Sequence, residues 1–153
     1  MASPAADFQL RPARQSDQGT IKRMVRRARL NPMGINWQRF TLAESEAGDI
    51  IGCVQLKPHG DGSSELASLI VARPWRGKGL GGRLINVIKA KSEGVLWLMC
   101  RRNLVRYYRQ FGFEEVQEAS RMSPYFRRIW RLARIFLVFS RDEDGLAIMR
   151  WQA

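Results

Sequence analysis

The segment Arg76-Gly77-Lys78-Gly79-Leu80-Gly81-Gly82 is the stretch of this chain best suited to chemistry. It follows an extended apolar run, Leu66 to Val71, and opens a helical pattern through Leu80, Leu84, Val87 and Ile88. Amides in the first turn of a helix have no partner within it, so they point outward. Glycine lets ligand oxygens approach such amides closely. The helix N-terminus, with Arg76 and Lys78, adds positive potential. The chemistry implied is a cradle for pyrophosphate. His59 is the one histidine, and imidazole titrates in the range a general base needs. Its setting, His59-Gly60-Asp61-Gly62, reads as a flexible surface turn.

The formal charge of +12 points the same way. A field of that sign attracts nucleotide cofactors, nucleic acid or anionic headgroups. The charge is spread along the chain, with clusters at Lys22 to Arg29, at Arg101 to Arg109 and at Arg127 to Arg134. Each group lies on an expected helix, where a solvated face is the plainer reading. A basic nucleic-acid-binding module is the alternative they motivate. Cys53 and Cys100 lie in apolar runs and read as buried, reduced thiols of a cytoplasmic protein. No Cys/His cluster has metal-ligand spacing, so no metal is expected. The first fifteen residues lack the apolar region of a signal peptide, and Ile135 to Phe139 is too short to span a bilayer.

The elements that must position the cradle follow from pattern. Phe8 to Arg11 reads as a strand, and Ser16-Asp17 can cap a helix to about Leu30 with Ile21, Met24, Val25 and Ala28 inward. Trp37 to Ala43, Ile50 to Lys57 and Glu65 to Val71 read as strands with short connections, hence an antiparallel meander. The cradle helix runs to about Glu93, followed by a buried strand, Val95 to Cys100. Asn103 to Phe111 is a short basic helix, and Phe113 to Val116 can start a strand. The last elements are a helix from Pro124 and a strand over Gly145 to Trp151. In the Pro124 helix, Tyr125, Ile129, Leu132 and Phe136 recur at helical spacing, with Arg127, Arg131 and Arg134 opposite. Packing on the sheet is favoured for this helix over an interfacial membrane role. A length of 153 residues, 45% of them hydrophobic, fits one domain spanning 1–153.

Three phosphate ligands compete for the cradle. A P-loop fails because Gly79 follows Lys78 where Ser or Thr must hold magnesium. A dinucleotide fold is matched by Gly77, Gly79 and Gly82. It lacks the acidic ribose ligand about twenty residues later, and a meander precedes it in place of alternating strand and helix. The third ligand is coenzyme A. Leu69-Ile70-Val71-Ala72-Arg73-Pro74-Trp75-Arg76-Gly77-Lys78-Gly79-Leu80-Gly81 resembles motif A of the GNAT superfamily of N-acetyltransferases, with Arg76, Gly79 and Gly81 in its defining positions. Tyr108-Arg109-Gln110-Phe111-Gly112-Phe113 resembles the family's Tyr-x-x-x-Gly-Phe segment. The resemblance is good over residues 8 to 117 and loose beyond.

The resemblance implies an α/β fold with a mixed, mostly antiparallel sheet of six to seven strands flanked by helices. It implies transfer of acetyl from acetyl-CoA to a primary amine by direct attack in a ternary complex. Leu69, Ile70 and Val71 would contact the pantetheine arm, in a gap that the family opens between this strand and the next. Amides from Gly77 to Gly81, with Arg76, Lys78 and Leu80 in the same loop, would hold the pyrophosphate. Tyr108 would protonate the departing thiolate. Glu65 would be the general base through water, with His59 as its rival. Asn103 would touch the cofactor, although it lies nearer Tyr108 than is usual in the family and a helix cap is the simpler reading. A non-catalytic acyl-CoA sensor is the remaining alternative. The acceptor stays open between a protein lysine or N-terminus and a small amine, and Trp37, Phe40, Tyr125 and Phe126 are candidates to line its pocket. Homodimers are frequent in the family.

Overall fold

A computed structural model describes residues 7–139 and 145–153. Its strands are β1 (Phe8–Pro12), β2 (Phe40–Ser45), β3 (Ile50–Pro58), β4 (Ser64–Val71), β5 (Val95–Arg101), β6 (Glu114–Glu115) and β7 (Leu146–Gln152). Its helices are α1 (Gln18–Arg27), α2 (Leu80–Lys91), α3 (Val105–Arg109) and α4 (Pro124–Phe139). The seven strands run in the order β1-β2-β3-β4-β5-β7-β6. The ladders β1–β2, β2–β3, β5–β7 and β6–β7 are antiparallel, and β4–β5 is parallel through Ser64↔Leu96 and Glu65↔Trp97. The sheet is therefore mixed and mostly antiparallel, as expected.

The chain forms two compact units, Met1–Leu56 with Leu66–Lys91, and Lys57–Glu65 with Ser92–Ala153. In the first, the amphipathic α1 turns Ile21 and Val25 onto Phe40, Leu42 and Cys53, all buried, with Met24, Ile35, Trp37 and Ile70 packed at the margin. Ala28, expected inward, is exposed. Asp17 lies just ahead of α1, where its carboxylate accepts from the Arg14 amide and from Arg11. Residues 37–39 form a short 3-10 turn in place of the expected start of β2. The Asn36 side chain accepts the Gln38 amide there, a local bond that competes with the strand ladder.

In the second unit, Trp97, Val116, Met122, Phe126 and Ile148 form the buried cluster. The inward residue of α4 is thus Phe126, not Leu132, which is 46% exposed. The side chain of Phe136 lies outside the described residues. Two apolar stripes overlap on α4, and stacking of Phe126 on Trp97, with ring centroids 5.3 Å apart, selects between them.

Candidate active site

In the first unit the Gly-rich loop leads from β4 into α2. Gly77 and Gly79 adopt φ of +74° and +80°, a conformation that other residues reach only with strain. Nothing lies within 4 Å of where a Cβ would stand on either glycine. The first backbone bond into α2 runs from the Arg83 amide to the Gly79 carbonyl, at 3.2 Å. Among the described residues, no acceptor pairs with the amides of Gly77 to Gly82. The main chain is therefore both accessible and unsatisfied, which is what a diphosphate requires. Leu80 anchors the helix by burying its side chain.

The cations around the loop are held. Arg76 donates Nε–H to the Val71 carbonyl at 3.0 Å, and Lys78 Nζ stands 5.4 Å from the Trp75 ring centre. β1 adds Phe8, set edge-on to Trp75, and Arg83 lies over the Phe8 ring. The strand pattern of β1 carries no sign of this support, which arises only when Phe8 meets Trp75 in the fold. An open groove bounded by Asp7, Glu44 and Glu46 has the wrong sign for a polyphosphate.

Leu69, Ile70 and Val71 are half-buried on β4 just before the loop. Ser68 precedes them at φ +55°, inside the strand. Its carbonyl accepts from Cys53 Sγ and its hydroxyl from Gln55 Nε2, while Gln55 Oε1 is buried without a partner among the described residues. Strained backbone of this kind persists only where its surroundings over-determine it. No local signal in the sequence marks Ser68, because the strand pattern runs through it.

The second unit holds the titratable groups. His59 Nε2 is 2.7 Å from Glu65 Oε2, with side chains only 6% and 8% exposed. Burial raises the Glu65 carboxyl above its ordinary value, while the bond to His59 and the charges of His59 and Lys57 oppose the rise. A carboxylate would accept from Nε2–H and a carboxylic acid would donate to it, so one proton lies between them. The Tyr125 ring stacks on the imidazole, with centroids 3.5 Å apart and planes at 15°. His59 is thus not a flexible surface histidine. The turn pattern predicted exposure, but the turn folds its histidine onto the aromatic start of α4. Of the expected acceptor-pocket aromatics, Phe40 and Phe126 are fully enclosed core residues. Trp37 packs at the margin of the first core and Tyr125 covers His59.

Tyr108 is on α3 and is 8% exposed. Burial, then the neighbouring Cys100 and Tyr107, push its phenol far above the ordinary value, so it keeps its proton. Tyr107 meets Tyr108 edge-on at 5.2 Å between ring centres. Asn103 is exposed within a 3-10 turn, and Leu104 takes the cap position of α3. Cys53 and Cys100 are both unpaired and buried. Burial pushes their thiols up to about 12 and about 11. Among the described residues, no group of His, Cys, Asp and Glu has the geometry to hold a metal ion. No helix there is long and apolar enough to cross a membrane.

A family model described as Acetyltransferase (GNAT) domain matches residues 36–115. The chain belongs to the GNAT family of acetyltransferases. Solved structures of similar fold include N-acetylglutamate synthase from Neisseria gonorrhoeae, complexed with coenzyme A and N-acetyl-glutamate. It is 19% identical, with a TM-score of 0.73, over 96% of this chain and 35% of that one. Rv2747 from Mycobacterium tuberculosis, in complex with CoA, is 20% identical with a TM-score of 0.66, over 95% and 99%. Naa50 from Arabidopsis thaliana, with a bisubstrate analogue, is 16% identical with a TM-score of 0.61, over 95% and 99%. At these identities the likeness is one of fold. This GNAT chain thus spans about a third of the synthase and nearly all of the other two. Comparison with curated proteins finds no match.

Proposed function

We propose that residues 1–153 act as one acetyl-CoA-dependent N-acetyltransferase domain, transferring acetyl to a primary amine by direct attack. The observation that carries this reading is the run of unpaired amides from Gly77 to Gly82 on a glycine loop open to ligand, within the segment matched by the GNAT model. In this reading those amides, with Arg76, Lys78 and Leu80 of the same loop, hold the pyrophosphate. Main-chain groups of Leu69, Ile70 and Val71 hold the pantetheine arm, and Asn103 touches the cofactor. Glu65, sharing a proton with His59, accepts the proton of the acceptor ammonium through water, because both side chains are buried. The neutral amine attacks the thioester carbonyl carbon, the C–S bond breaks, and the nitrogen sheds its second proton to water, which returns a proton to the Tyr108 phenolate at the end of the step. Tyr108, still protonated, donates its phenolic proton to the sulfur, whose thiol has an ordinary pKa near 8.5. The raised thiols of Cys53 and Cys100 speak against an acyl-enzyme. Two unpaired cysteines support a reducing, cytoplasmic setting. The net charge of +12 disfavours a polycationic acceptor.

The test is acetyl-CoA turnover over a panel of amino acids, peptides and small amines, with Tyr108→Phe beside the wild type. The variant is expected to lose about 10²-fold in kcat while its CoA dissociation constant stays within about twofold. A wild type that binds CoA but turns over no amine would be a sensor, and the enzymatic reading would fail.

A further inference from the structure

The second unit contains a connection that the reaction scheme above does not use. Asp61 sits at the tip of the β3–β4 turn. One carboxylate oxygen accepts from the Ser63 amide and hydroxyl, and the other accepts from the Tyr125 amide at 2.8 Å. Tyr125 is the second residue of α4, and the first, Pro124, has no N–H. Its amide is one of the donors a helix leaves without an internal partner. Asp61, 64 residues earlier, therefore supplies the cap and favourable charge at this helix start.

We propose that Asp61 is a positioning residue for the Glu65–His59 pair, tying the β3–β4 turn to the first turn of α4 and so holding Tyr125 flat on the imidazole. The geometry runs in one line. Asp61 bonds the Tyr125 amide, the Tyr125 ring stacks on His59, and His59 meets Glu65. Phe126 closes the edge of the imidazole at 5.6 Å between ring centres and is itself stacked on Trp97. His59 is thereby boxed on a face and an edge, and the pair is shielded from bulk solvent. Hydrogen bonds from Ser63 and Tyr125 outweigh the opposing effect of burial and hold the Asp61 carboxyl at about 2, so the tie persists across the working pH range. The charged groups facing Glu65 are His59 and Lys57, and those acting on Tyr125 are Glu65, Arg128 and Asp61. Loosening Tyr125 would hydrate the pair and let the Glu65 carboxyl fall toward its ordinary value. The proposal rests on the reading of Glu65 as the base, and its test separates the two.

Because His59 is the only histidine, its ring resonances are unambiguous by NMR. Asp61→Ala is expected to move the His59 ring shifts toward those of an exposed histidine. The acidic limb of kcat/KM should shift to lower pH, with about a tenfold loss at the optimum. Asp61→Asn keeps an acceptor for the Tyr125 amide and is expected to restore the wild-type ring shifts and the position of the limb. If Asp61→Ala does not fold, Tyr125→Leu, which leaves the amide bond intact and removes the ring, is expected to give the same two shifts. Ring shifts and limb both unchanged in the folded variant would overturn the proposal. Ring shifts that move while the limb stays would uphold the tie and refute Glu65 as base.

Discussion

As the proposed base, Glu65 carries opposing demands of stability and chemistry. Its folded-state pKa is raised by burial, so the native state binds its proton more tightly than the unfolded chain does. Its contribution to stability is therefore complete below the ordinary value of 4.5 and is lost as pH rises through the raised one. Replacing it by glutamine removes the charge that must be buried. Glu65→Gln is expected to melt higher than wild type at pH 8, to lose that advantage by pH 4, and to turn over about 10²-fold more slowly. Calorimetry at the two pH values, with initial rates, decides it. A variant that melts lower at pH 8 would show that the bond to His59 outweighs the burial. Sequence reading singles out Glu65 and His59 as rival bases but does not show that they meet. Glu65 and His59 are six positions apart, but only the folded turn brings them to 2.7 Å.

The β3–β4–α2 assembly shows what element patterns reveal and what they hide. Gly52 lies in β3, where a Cβ would stand 3.0 Å from the Ile70 carbonyl and 3.2 and 3.3 Å from Leu84 and Leu80 of α2. Gly52→Val forces the strand, the helix or both to move, and is expected to lower the free energy of unfolding by about 1–3 kcal/mol. An unchanged denaturation midpoint would mean that α2 can shift at no cost. Strands β3, β4, β5 and β7 were legible to within a residue or two because alternation and flanking turns agree there. The phase of α4 was not, since Phe126 and Leu132 are equally apolar and only the partner surface, Trp97 and Ile148, chooses between them. The bend at Ser68 was hidden for a different reason: its φ of +55° is held by Cys53 and Gln55 on the neighbouring strand, not by its own type.

The charge of the chain acts on every step that brings an anion to it. A surplus of +12 attracts a polyphosphate over distances that salt can screen, about 10 Å at 0.1 M ionic strength. KM for acetyl-CoA is expected to rise by up to about tenfold between low and high salt, with kcat nearly constant. A salt-independent KM would mean that the field serves another ligand. A polynucleotide that protects against heating where acetyl-CoA does not would name that ligand. The mostly antiparallel sheet and the two family segments were readable because local backbone chemistry fixes them. The partnership of the turn with α4 was not, because it joins residues 64 positions apart.

The amides of Gly77 to Gly82 without internal acceptors have a practical side. If these donors hold the diphosphate as proposed, inorganic phosphate, sulfate and citrate, anions like that guest, are expected to compete for them. Material prepared in such buffers is then expected to start partly inhibited, with apparent CoA affinities below those in HEPES or Tris of matched ionic strength.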